Sequence, residues 1–92
     1  HYLTGEPLPD ATVDALINIK NLFSGTNTLG QMVYASLALA YFKPGAQKDI
    51  DGIQQSIYQA IRPHVVYDPN DRSYASFGHL MGYGAKYYGY MW

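Results

Sequence analysis

At 92 residues the chain lies within the range of one domain, and a chain of that size buries about 60–65% of its unfolded surface. A net charge of −1 gives no basic footprint for nucleic acid or anionic lipid, and 48% apolar residues argue against disorder. The lack of cysteine excludes disulfides and thiolate metal sites and leaves the compartment open, with the cytoplasm expected ahead of the mitochondrion.

Residues 1–9 hold Gly5, Pro7 and Pro9 and read as an extended or turning lead-in. Asp10 is placed to cap a helix, and Val13, Leu16, Ile17, Ile19, Leu22 and Phe23 mostly recur at helical intervals, so a helix is expected over 11–23. Ser24-Gly25-Thr26-Asn27 reads as a break. Thr28 followed by Gln31 has the spacing of a capping box, and Leu29, Met32, Val33, Leu37, Ala40 and Tyr41 predict a helix over 29–42. Pro44 and Gly45 end it. The apolar stretch Met32 to Phe42 is well short of the roughly 20 residues that span a bilayer, so no membrane partner is expected. Ile50, Ile53, Ile57, Tyr58 and Ile61 predict a third helix over 49–62, stopped by Pro63. Val65-Val66-Tyr67 is a short β-prone run, and Asp68-Pro69-Asn70-Asp71 is a turn. Phe77 to Gly84 reads as a glycine-rich loop, followed from about Ala85 by a helical segment. Short helices with short links predict an all-α architecture.

Ten tyrosines are concentrated toward the end, where Tyr83, Tyr87, Tyr88, Tyr90 and Trp92 fall within the last ten positions. At helical spacing Tyr83, Tyr87 and Tyr90 share one face, joined by His79 where the helix reaches back through Gly82 and Gly84, while Leu80, Tyr88 and Met91 turn elsewhere. Tyrosine combines an apolar ring with a hydroxyl, so several aimed at one groove suit a peptide backbone or a developing oxyanion. The competing account is a tyrosine-rich helix packed into a core with its hydroxyls satisfied locally. Metal binding by these residues is not expected: His1, His64 and His79 form no H-E-x-x-H pair, and Glu6 is the only glutamate. Nor is there a G-x-S-x-G elbow or a G-x-G-x-x-G loop.

The stretch from Phe77 to Trp92 resembles the F-x-H-L-x-G-Y-x-A-x-Y-Y-x-Y signature of the M3-family zinc metallopeptidases, the thimet oligopeptidase type. The start, His1 to Pro9, is similar to the same family's H-x-x-T-G-E-P-L-P segment, so the two motifs bracket nearly the whole chain in the family's order. Met81-Gly82-Tyr83 carries one glycine where many thimet-type members have two, a form closer to the mitochondrial intermediate peptidase branch. The resemblance implies a helical zinc peptidase that cleaves short peptides, with zinc held by H-E-x-x-H and a later glutamate. It implies that residues 1–92 are a fragment of the C-terminal part of the catalytic domain, to be joined by the remainder of the parent peptidase. It implies that Tyr90 and Tyr83 donate hydrogen bonds to the scissile carbonyl. It further implies that His79, Tyr87, Gly78, Gly82 and Gly84 bind substrate, and that Gly78, Gly82, Gly84 and Gly89 let the loop adjust to it. The fragment, lacking the zinc ligands, is expected to be inactive alone. The alternative is an autonomous helical, tyrosine-rich module that binds peptides without catalysis.

Overall fold

Helices account for all the regular structure in a computed structural model of the protein, which describes residues 2–92; His1, the first residue of the opening motif, lies outside the described residues. Helix α1 spans Asp10–Leu22, α2 Ser24–Tyr41 and α3 Ile50–Ile61. A 3₁₀ segment at Ser73–Ser76, the single turn α4 at His79–Gly82 and a terminal 3₁₀ helix at Gly84–Met91 follow. The all-α expectation holds. Val65, Val66 and Tyr67 form no strand, since the described residues offer no second strand to pair with their backbone groups.

Two helix starts differ from the sequence reading. Pro9, not Asp10, is the N-cap of α1: its carbonyl accepts from Thr12 N and Val13 N at 2.9 and 3.2 Å. Asp10 is the first helical residue, where its carboxylate faces the positive end of the helix dipole. Nor do Ser24 to Asn27 form a break. Only Phe23, with φ −109° and ψ 14°, leaves helical geometry, and α2 starts at Ser24. The Thr28 hydroxyl donates to Ser24 O at 2.9 Å inside the helix, so the expected capping box with Gln31 does not form. These small polar residues occupy the first turn of α2, where their poor interior propensity costs least. The third helix meets its expected ends. Asp49 caps α3 by accepting from Gly52 N at 2.9 Å, and the helix stops one residue before Arg62-Pro63.

Helix α2 is apolar on two sides, and the rest of the structure packs on both. Val33, Leu37 and Tyr41, at four-residue spacing, meet Ile50, Ile53, Ile57, Tyr58 and Ile61 of α3 together with Tyr74, Phe77 and Leu80. Ala35 and Ala38 form a second face on which Tyr87 settles beside Tyr34, Phe77 and Leu80. Alanine has no side chain beyond Cβ, so an aromatic ring can approach the helix closely there. The link from α3 to the terminal segment is pinned by Gln54, which is fully buried. Its amide nitrogen donates to the Tyr67 hydroxyl at 3.1 Å and to Asp71 O at 3.2 Å. The expected turn forms, with Asp71 N donating to Asp68 O at 2.9 Å and Asn70 N to Asp68 Oδ1 at 2.8 Å. An ion pair between Arg72 and Asp51 at 3.4 Å joins partly exposed side chains and contributes at most about 1 kcal/mol.

Helix α1 stands apart, with none of its residues buried. The radius of gyration is 19.0 Å, against about 12 Å for a compact chain of this length. Leu16, Ile17, Ile19, Leu22 and Phe23 leave an apolar stripe in solvent.

Within the core the Tyr41 hydroxyl is buried and finds no hydrogen-bond partner among the described residues. Burial, reinforced by Tyr67, Tyr74, Asp51 and Tyr58, pushes its phenol up to about 12. Below pH 10 the folded and unfolded chains both hold this proton. Between about pH 10 and 12 the unfolded chain gives it up first, so rising pH favours unfolding. We expect this residue to withdraw on the order of 1 kcal/mol of stability at pH 11. Tyr41→Phe should remove that loss and leave stability at pH 8 equal or higher, because no hydrogen bond is lost. Urea unfolding at the two pH values checks both.

Candidate functional site

The last sixteen residues pass from a single α-turn to a 3₁₀ helix, and the change collects the polar aromatic tips. His79 and Tyr83 are one α-turn apart, with ring centroids at 5.7 Å. Tyr87 and Tyr90 lie three apart in the 3₁₀ helix, where side chains at that spacing eclipse, and their rings are 5.0 Å apart. His79 joins the two pairs, standing edge-on to Tyr87 at 5.1 Å and to Tyr90 at 5.6 Å. Its Nε2 and the Tyr90 hydroxyl are within hydrogen-bond distance at 3.2 Å. The face drawn from a uniform α-helix is therefore present, but it is built by an α-turn followed by a 3₁₀ helix. Phe77 supports it from beneath, 5.2 Å from Tyr87 and 5.0 Å from Tyr34.

Exposure divides the tyrosines. Tyr83 and Tyr90 are 63% and 67% exposed, whereas Tyr87 is 8% exposed. The Tyr87 hydroxyl donates to Gln31 Oε1 at 2.9 Å. Burial and the neighbouring Tyr34 raise its phenol above the ordinary value, and the bond to Gln31 acts in the opposite direction. The packed-core account thus describes Tyr87, and the groove account describes the tips of Tyr83 and Tyr90. Together His79, Tyr83, Lys86, Tyr87, Gly89 and Tyr90 enclose a half-open cavity of about 240 Å³. Chemically, it offers phenol donors, one imidazole and one ammonium against aromatic walls, a set suited to the carbonyls and carboxylates of a peptide.

Gly78, Gly82 and Gly84 do not line this cavity, whereas Gly89 does. Gly84 alone of the four has a positive φ, +57°, and it forms the joint between α4 and the terminal 3₁₀ helix. The sequence points to neither Lys86 nor Gln31 at the site; Gln31 reads only as the capping-box partner of Thr28. Lys86 falls among the tyrosines it accompanies, while Gln31 is 56 residues away from Tyr87, a pairing no local spacing reveals. The zinc implied by the family resemblance finds no ligand set here: among the described residues no three His, Cys, Asp or Glu groups come together. His79 instead turns Nε2 to Tyr90.

The sequence model of Peptidase family M3 matches residues 1–92. The chain belongs to that peptidase family. It is 34% identical over 93 residues to mitochondrial intermediate peptidase of Rattus norvegicus, covering 99% of this chain and 13% of the relative. It is 33% identical over 98 residues to the organellar oligopeptidase A of Arabidopsis thaliana, covering 100% of this chain and 12% of the relative. To saccharolysin of Saccharomyces cerevisiae it is 31% identical over 99 residues, covering 100% and 14%. The chain therefore spans about an eighth of the length of the curated relatives it matches. No solved structure matches it.

The three glycines expected to bind substrate separate by conformation. An L side chain in the left-handed region costs about 1–2 kcal/mol, so Gly84→Ala should destabilise by that amount although its Cβ would meet Phe42 only at an ordinary 3.7 Å. Gly78 and Gly82 have open space at the Cβ position and φ outside the left-handed region. Alanine there should change stability by less than about 0.5 kcal/mol or raise it slightly. Chemical denaturation of the three variants tests the order.

Proposed function

We propose that this chain is the substrate-binding wall of a zinc-dependent oligopeptidase, a C-terminal part of its catalytic domain, and that the parent enzyme hydrolyses short peptides. The observation that carries the reading is the convergence of His79, Tyr83 and Tyr90 on one cavity within a chain of the M3 family. The exposed stripe of α1 supports the view that these residues belong to a larger body. The named relatives that act in mitochondria make that compartment a candidate for the parent.

In this reading Tyr83 and Tyr90 carry the chemistry that residues of this chain supply. Both residues line the cavity and are largely exposed. When a peptide carbonyl is attacked, negative charge grows on its oxygen, and a phenol fixed nearby donates more strongly to that oxygen than to the neutral carbonyl. If the His79 Nε2 carries the proton shared with Tyr90, it donates to the phenol oxygen and leaves the Tyr90 O–H free to point at substrate. His79 and the Tyr87 ring then bound the backbone of the peptide, and Gly89 leaves room for it. The zinc would be held by residues outside this segment and would activate the attacking water.

Tyr90→Phe in the full-length protein should lower kcat by about 10²–10³-fold with a smaller change in KM, as expected for a donor engaged in the transition state. Because the hydroxyl is exposed, the melting temperature should barely move. A purely structural role for Tyr90 predicts the reverse pattern, and unchanged turnover would remove the donor assignment. The isolated 92-residue chain should hydrolyse no peptide. Hydrolysis by that chain, abolished by a chelator, would overturn the reading.

A further inference from the structure

Tyr87 is the one buried residue of the terminal 3₁₀ helix. Its ring stands 5.1 Å from His79, 5.0 Å from Tyr90, 5.2 Å from Phe77 and 5.6 Å from Tyr34, so both polar groups that face the cavity from this side lean on it. A phenol has one proton to donate. That proton goes to Gln31 Oε1 at 2.9 Å, so Tyr87 offers no O–H to a peptide while the bond stands. Tyr87 shapes the site through its place and not through its hydroxyl.

What fixes that place is the face of α2 beneath it. Gln31, Ala35 and Ala38 lie at i, i+4 and i+7 and share one side of the helix. The two alanines let the ring approach but do not fix how far along the helix it sits, because apolar contact is non-directional. A hydrogen bond is directional and ends at one atom. Gln31 is half-buried and forms the polar end of an otherwise apolar track. Resting on the substrate-wall reading above, we propose that Gln31 is a positioning residue of this site. It touches no substrate. By accepting the Tyr87 hydroxyl it sets the position of the ring that holds His79 and Tyr90, and so the aim of the Tyr90 donor.

The proposal predicts coupling between Gln31 and Tyr90, which act on one another only through Tyr87 and His79. The measurement is steady-state hydrolysis of a quenched fluorescent peptide by the full-length protein, comparing Gln31→Met, Tyr90→Phe and the double variant. Misplacing a catalytic group by a fraction of an ångström has large effects on rate, so Gln31→Met should lower kcat about 10-fold with KM within about two-fold. Gln31→Glu, which keeps an acceptor, should restore the rate. In the Tyr90→Phe background Gln31→Met should cost less than about two-fold, because the donor it aims is already gone. An equal loss in both backgrounds, or an unchanged kcat for Gln31→Met, overturns the assignment while leaving Tyr90 in its role. If Tyr90→Phe itself turns over normally, the substrate-wall reading fails and the role of Gln31 falls with it. Should Gln31→Met not fold, Gln31→Asn withdraws the acceptor by one methylene, keeps an amide at the surface and is judged by the same criteria.

Discussion

The contact on which the site depends is the seating of Tyr87 against α2. Two alanines open the helix surface, and one glutamine stops the ring where its hydroxyl can be satisfied. A buried phenol without an acceptor is costly, by about 1–3 kcal/mol, so this arrangement selects one position for the terminal helix. Once Tyr87 is seated, eclipsing within the 3₁₀ helix places Tyr90 beside it, and the α-turn before it places Tyr83 beside His79. The cavity follows from helix geometry applied to one fixed ring.

The opposite face of α2 shows the contrasting case. There the Tyr41 hydroxyl is buried without a partner and its phenol is pushed up to about 12, chiefly by burial. Tyr87 has an acceptor, and Tyr41 does not. The same residue type thus serves as a polar anchor where Tyr87 docks on one side of α2 and as an apolar filler with an orphan hydroxyl where Tyr41 leaves the other. The difference lies in whether a neighbouring helix residue carries an oxygen at the right height.

Much of this was legible in the sequence, and the parts that were not have physical causes. The stripes of α2 and α3 are periodic because each buries apolar side chains, so their existence and their ends ahead of Pro44 and Pro63 could be read directly. The start of α2 could not. Ser24 to Asn27 have the composition of a loop, yet a first helical turn tolerates that composition, and the chain leaves helical geometry only at Phe23. Spacing placed Tyr83, Tyr87 and Tyr90 on one face and added His79 only if the helix reached back through the glycines. The stretch read as a loop instead holds the α-turn His79–Gly82, and the 3₁₀ geometry after it was not legible because three- and four-residue spacings suit either helix. Gln31 was invisible as a site residue because its partner lies 56 residues away. The glycines show the limit of motif reading. Gly78, Gly82, Gly84 and Gly89 all belong to the resemblance, but of these four only Gly84 adopts a backbone conformation that requires glycine, and only Gly89 reaches the cavity.

The central claim is that a peptide lies along this aromatic wall. Photo-crosslinking tests it most directly: a short peptide carrying a benzophenone next to its cleavage site is bound to the full-length protein, irradiated, and the adduct located by mass spectrometry. The account predicts adducts on residues 79–90, reduced by competition with an unlabelled peptide. Adducts confined to the exposed stripe of α1, or absent from the tyrosine wall under conditions in which the peptide is cleaved, would contradict it.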